Sequence, residues 1–202
     1  MDKYLNYAEL KKFEDKGKDY IIRYRYVDSN IAIMAPHGGG IEPGTADLAD
    51  EIAGKDFLFY SFSGVKNSGN SILHLSSTRF DEPVALEITR KASTVITLHG
   101  CRDKGELIFT GGKNHELKQA ISDRLADAGF KIKKSQYNDL KGKSDYNICN
   151  RCGSGKGVQL EVSMGLRVKM FCRHDGFSAE TRTEKFYIFV KTVREVLLPL
   201  RK

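Results

Sequence analysis

The chain has no tryptophan, only four cysteines, four prolines and four methionines in 202 residues, and no long hydrophobic run. Four cysteines are too few in a chain of this length for a disulfide framework, so its stability has to come from a packed core. Cys101, Cys149, Cys152 and Cys172 are expected to be mostly reduced. Cys149 and Cys152 have C-x-x-C spacing and, with Cys172 and His174, have the ligand types of a small structural zinc site. The favoured expectation is unpaired, half-buried thiols. No apolar segment approaches the roughly 20 residues that cross a bilayer, and the opening MDKYLNYAELKKFEDKGKDY is too polar for a signal peptide. A soluble protein made in a cytoplasm, with no membrane partner, is expected. The missing tryptophan excludes nothing.

A long Lys/Arg tract is also absent, although 33 basic residues against 26 acidic ones give a formal charge of +7. Such a field raises the encounter rate with polyanions. Scattered basic residues and the lack of any RNA- or DNA-binding signature argue against nucleic acid as the partner, which leaves an acidic substrate of another kind. With 40% hydrophobic residues, 11 Phe and 9 Tyr, the chain can bury one full core. No repeat or Pro/Ser-rich linker divides it, so residues 1–202 read as a single domain.

Runs of β-branched and aromatic residues predict strands at DYIIRYRYV, NIAIMAP, KDFLFYSF, SILHLSS, STVITLH, ELIFTGG and GVQLEVS. Helical spacing predicts helices in GTADLADEIAG, DEPVALEITRKA, NHELKQAISDRLADAG and the last segment, AETRTEKFYIFVKTVREVLLPL. Strands alternating with helices of this length predict an α/β fold with a mixed, mostly parallel sheet flanked by helices. Ligands of such folds sit beyond the carboxyl ends of strands.

His37 follows IAIMAP, His99 follows TVITL and Glu161 lies near the end of GVQLEV, so three chemically capable side chains occupy that kind of position. Gly38, Gly39 and Gly40 match neither a Walker loop nor the dinucleotide fingerprint. They are expected to let the backbone turn so that Glu42 comes round beside His37. A catalytic zinc takes about three His or carboxylate ligands and keeps a position open, and His37, Glu42 and His99 form such a His₂Glu set. The competing reading makes Glu42 an acidic residue at a helix N-terminus, with Pro43 in the first helical position.

The blocks APHGGGIEPGT, VITLHG and CNRCGSGKGVQLEVSMGLR, in that order, resemble the phage and Bacillus poly-γ-glutamate hydrolases, zinc peptidases with a core similar to the metallocarboxypeptidases. The resemblance runs from about Ile31 to the final helix. It implies a metallocarboxypeptidase-like core, zinc on His37, Glu42 and His99, and Glu161 as general base or acid on the water that the metal activates. Asn150 and Arg151 resemble the pair with which metallocarboxypeptidases hold a substrate carboxylate, and a guanidinium grips a carboxylate bidentately. Arg79, Arg102 and Arg167 are further candidates for carboxylate contacts. One departure is that carboxypeptidases place the first His and Glu closer together, so the Gly-rich loop must have its own geometry. His74 is expected to be a hydrogen-bonded core or rim residue rather than a fourth ligand, and His115 and His174 carry no role.

The resulting expectation is a zinc metallopeptidase that cleaves γ-glutamyl amide bonds in an anionic, capsule-type poly-γ-glutamate. It would act on polymer outside the cell, for example after lysis by a bacteriophage. A zinc carboxypeptidase or amidase for small acyl-amino acids is the alternative within enzymes, and a nucleic-acid-binding module is supported by net charge alone. Sequence sets no oligomeric state, and a monomer is the default.

Overall fold

The computed structural model describes residues 2–133, 141–172 and 181–202, with the side chain of Cys172 outside that description. Seven strands form one sheet: β1 (Tyr20–Arg25), β2 (Ile31–Gly39), β3 (Leu58–Gly64), β4 (Thr94–Cys101), β5 (Leu107–Gly111), β6 (Lys131–Lys133) and β7 (Val158–Ser163). Their spatial order is β1-β3-β2-β4-β7-β5-β6. The pairings of β3 with β2, β2 with β4, β4 with β7 and β5 with β6 are parallel, whereas β1 with β3 and β5 with β7 are antiparallel. This is the mixed, mostly parallel sheet expected of a carboxypeptidase-like core, and the carboxyl ends of its four central strands lie together.

Both faces of the sheet are covered, which explains why β2, β3 and β7 are buried nearly throughout. On one face Ile31, Ile33, Ala35, Ile96, Leu98, Val158, Leu160 and Val162 pack under four helices. These are α2 (Thr45–Ala53), α4 (His115–Asp127), α5 (Met164–Met170) and α6 (Glu184–Leu197). On the other, Ala32, Met34, Leu58, Tyr60, Phe62 and Val95 meet Leu10 of the short α1 (Tyr7–Leu10), Ala85 and Ile88 of α3 (Pro83–Lys91), and the 3₁₀ turn Ile148–Arg151. A two-stranded ribbon pairs β8 (Phe171–Cys172) with β9 (Thr181–Arg182), and a 3₁₀ turn, Leu198–Leu200, follows α6.

One expected strand is absent. SILHLSS forms a 3₁₀ turn, Asn70–Leu73, followed by an extended segment that joins no sheet. Leu73 and Leu75 alternate inward as strand residues would, but their neighbours are side chains of the second core rather than a strand edge. The backbone groups are satisfied by side chains instead: the Ser76 N–H donates to Asp2 Oδ2 at 2.7 Å and the Leu75 carbonyl faces His37 Nε2 at 2.7 Å. Sequence reading missed α1, α5, β6, β8 and β9 because each is short.

Candidate metal centre

A β-bulge places the first histidine. In the pairing of β2 with β3, Ala35 is opposite Ser61 and Gly38 opposite Ser63, so β2 carries one extra residue there. Strict alternation from Ile31, Ile33 and Ala35 would aim residue 37 at α2; the extra residue reverses the phase and aims His37 at the opposite face. That face is where β4 presents Val95, Thr97 and His99, and where β7 presents Gln159 and Glu161, since Leu98 and Leu160 belong to the other core. His99 lies in direct register with Glu161.

The glycines after His37 serve the turn in two ways. Gly39 has φ +61° and packs so close to Gly64 that any Cβ would lie 2.3 Å from the Gly64 carbonyl oxygen. The chain then folds back, with the Glu42 N–H donating to the His37 carbonyl at 2.9 Å. Glu42 is thus brought round to His37, as expected from the sequence. The helix-terminus reading of Glu42 is set aside: α2 starts at Thr45 with Gly44 as its N-cap.

Three donor atoms converge. His37 Nδ1 is 3.2 Å from Glu42 Oε1 and 3.1 Å from His99 Nδ1, and His99 Nδ1 is 3.7 Å from Glu42 Oε2. The Leu75 carbonyl can only accept, so His37 Nε2 carries the ring proton and donates at 2.7 Å, leaving the Nδ1 lone pair directed at the cluster. Glu42 Oε2 accepts from the Gly100 N–H at 2.8 Å, which holds the carboxylate in place. A side chain at Gly100 would collide with the Arg167 guanidinium, 2.7 Å from the position of its Cβ. Two ring nitrogens and a carboxylate oxygen this close suit a cation between them, and the spacing is near the ~3.4 Å edge of a tetrahedron with metal–nitrogen bonds of about 2.1 Å. Among the described residues this is the one cluster of three with metal-ligating geometry, and it can hold a metal ion.

Electrostatics agree. Burial pushes the Glu42 carboxyl up, but His37 and His99 outweigh it and hold the group well below the usual carboxylate range. Burial opposes charge on His37 too, yet Glu42 raises it overall. Glu161 differs, because burial and the neighbouring Glu42 push its carboxyl above the usual range in spite of His99 and His37. One carboxylate is thereby fixed as an anion while a second, in the same cleft, is disposed to take up a proton.

The cleft around these groups has a volume near 280 Å³ and is bordered by His37, Glu42, His99, Arg102, Gln159 and Glu161, with His74 and Ser77 at its rim. A second cleft of about 510 Å³ shares Glu42, His74, Gly100 and Arg102 with it and adds Lys3 and Arg167. His74 is the hydrogen-bonded rim residue expected, with Nδ1 2.7 Å from Asp2 Oδ1 and its ring 4.1 Å from that of His37.

The expected carboxylate contacts are placed unevenly. Asn150 is buried and fully engaged: Nδ2 donates to the carbonyls of Gly142 and Ser144, and Oδ1 accepts from the N–H groups of Lys113 and Gly157. Arg151 donates to the Phe80 carbonyl and does not border the cleft. Asn150 thus helps fix the turn before β7, and Arg151 uses one guanidinium nitrogen on a backbone carbonyl. Arg79 is exposed and also outside the cleft. Arg167 donates to the carbonyls of Val162, Pro43 and Cys101, clamping β7, the Glu42 loop and β4 together. Only Arg102 of the five borders both clefts.

The C-x-x-C pair does not form a metal site among the described residues. Burial pushes the Cys149 thiol far up, against the thiolate a metal requires, and its Sγ lies 3.6 Å from Asn150 Oδ1. His174 lies outside the described residues.

Sequence reading missed Gly100, Asn147 and Gln159. Gln159 left a trace, since it alternates with Glu161 in a strand otherwise apolar at its centre.

The family model for poly-γ-glutamate hydrolase matches residues 4–192. Among curated proteins of Bacillus subtilis (strain 168), YndL is 37% identical over 194 residues, covering 95% of this chain and 76% of YndL. The SPβ prophage-derived protein YoqZ is 40% identical over 171 residues, covering 84% of this chain and 62% of YoqZ. Among solved structures, a bacteriophage poly-γ-glutamate hydrolase superposes with a TM-score of 0.93 at 32% identity, covering 99% of this chain and 98% of that one. A zinc-free form of YndL superposes with a TM-score of 0.91 at 36% identity, covering 98% of each chain. Among the described residues no helix is long and apolar enough to cross a membrane.

Proposed function

The chain belongs to the poly-γ-glutamate hydrolase family, and from that membership we propose that it is a zinc-dependent hydrolase of γ-glutamyl amide bonds in poly-γ-glutamate outside the cell. The observation that carries the reading is the convergence of His37 Nδ1, His99 Nδ1 and Glu42 Oε1, with Glu161 on the adjoining strand facing the same cleft. A zinc-free YndL structure supports zinc as the ion. His37, Glu42 and His99 would hold the zinc, which would supply a Lewis acid to polarise the amide carbonyl and acidify a water. Glu161 would serve as the general base that accepts a proton from the attacking water and returns it to the amide nitrogen as the C–N bond breaks, giving a carboxylic acid and an amine. Arg102, at the junction of the two clefts, binds an α-carboxylate of the polymer. Two clefts meeting at the metal ligands suit a chain running through both better than a small acyl-amino acid filling one.

Purified protein mixed with poly-γ-glutamate should shorten it, with chelator stopping the reaction and added zinc restoring it. Polymer of unchanged length in zinc-replete protein would overturn the reading. Capture should also depend on salt, because a +7 chain gains encounter rate from attraction that physiological salt screens beyond about 8 Å. The apparent KM should rise with ionic strength, and Arg102→Ala should raise it roughly two- to five-fold with kcat kept, the range of an exposed ion pair. A KM indifferent to both would favour the small-substrate alternative.

A further inference from the structure

We propose that Asn147 and Gln159 are positioning residues that fix which oxygen of Glu161 faces the cleft, through a hydrogen-bond relay anchored on a backbone amide of the C-x-x-C turn. The inference rests on Glu161 being the general base. Its starting point is a group whose polarity cannot change: the Cys149 N–H only donates, and it donates to Asn147 Oδ1 at 3.1 Å. Asn147 is left with Nδ2, which donates to Gln159 Oε1 at 2.9 Å. Gln159 is left with Nε2, which donates to Glu161 Oε1 at 2.7 Å. Each bond commits the next. Turning either amide over would set donor against donor at one end and acceptor against acceptor at the other.

The three side chains are only 3%, 2% and 5% exposed, so water does not replace a lost link and a broken bond leaves a buried polar atom unpaired. Gly142 (φ +56°) closes over Gln159, where an added Cβ would come within 3.1 Å of its Oε1. Glu161 Oε1 is therefore always occupied by an N–H, and a proton taken from the attacking water goes to Oε2. The base works through one oxygen, held in one orientation. The turn that carries Cys149 and Cys152 thus acts through its backbone, with Asn147 as its N-cap, and the cysteine sulfurs take no part.

Asn147→Asp keeps the acceptor for the Cys149 N–H but removes the donor toward Gln159, so the Gln159 amide turns over and presents an oxygen to Glu161. Gln159→Met removes the donor at similar volume and serves if a buried aspartate impairs folding. In each variant kcat should fall roughly 10-fold, as for loss of a partner that orients an active-site group, with KM and bound zinc unchanged. In metal-free protein, the Gln159 side-chain amide protons should shift in ¹⁵N–¹H spectra on Asn147→Asp. In a Glu161→Gln background neither change should lower kcat further. Unchanged kcat in both variants while Glu161→Gln is inactive overturns the relay and leaves the base standing. Equal losses with and without Glu161→Gln show a merely structural role and also overturn it. Near-normal turnover of Glu161→Gln by itself removes the base on which the relay depends.

Discussion

Glu161→Gln should give a folded protein that keeps its zinc, still binds the polymer and turns over roughly 10²- to 10⁴-fold more slowly, the usual cost of losing a general base. The surroundings explain why so little else should change. Gln159 Nε2 would donate to the carbonyl oxygen of the new amide as it now does to Glu161 Oε1. That leaves an NH₂ group toward the cleft where a proton acceptor is needed. Neutralising a buried carboxylate whose protonation burial already favours also costs the fold little. Zinc content, polymer binding and kcat of this one variant separate three roles. Loss of zinc would make Glu161 a ligand, loss of binding a substrate contact, and near-normal kcat a bystander.

His37→Ala and His99→Ala should each abolish activity and release most of the zinc, because two remaining ligands leave an incomplete shell. Their effects on stability should differ. His37 is 2% exposed, donates to the Leu75 carbonyl and packs its ring against that of His74, so its removal opens a cavity and leaves a buried acceptor unpaired, at a cost of about 1–3 kcal/mol. His99 is equally buried, but its Nε2 has only Ser77 Oγ at 3.5 Å. His99→Ala should therefore unfold nearer the metal-free native protein than His37→Ala. Metal analysis and thermal melts check both points. Full zinc occupancy in both variants would rule out this ligand set, whatever the melting temperatures.

The α/β class and the candidate ligand set were legible in sequence because both rest on local signals. The run IAIMAP is apolar for as long as a doubly covered strand is, VQLEVS alternates apolar and polar residues, and such strands put their ends where ligands bind. His37, Glu42, His99 and Glu161 could be named from that placement together with residue chemistry and the family resemblance. SILHLSS misled because its alternating leucines record burial, which an unpaired extended segment shares with a strand.

Three matters were decided by tertiary structure alone. An extra residue in β2 turned His37 to the face of His99, and only pairing with β3 reveals it, since alternation within β2 points the other way. Asn150, Arg151 and Arg167 carry the right chemistry for substrate carboxylates, and only the folded chain shows the backbone carbonyls to which each also donates, with Arg151 using one guanidinium nitrogen in this way and Arg167 lining the second cleft. The relay from Cys149 through Asn147 and Gln159 to Glu161 joins residues 12 and 2 positions apart by hydrogen-bond direction, which exists only once the folded chain brings a fixed backbone donor to one end of it. Sequence sets which side chains can do the chemistry; pairing, burial and prior hydrogen bonds determine which are free to do it.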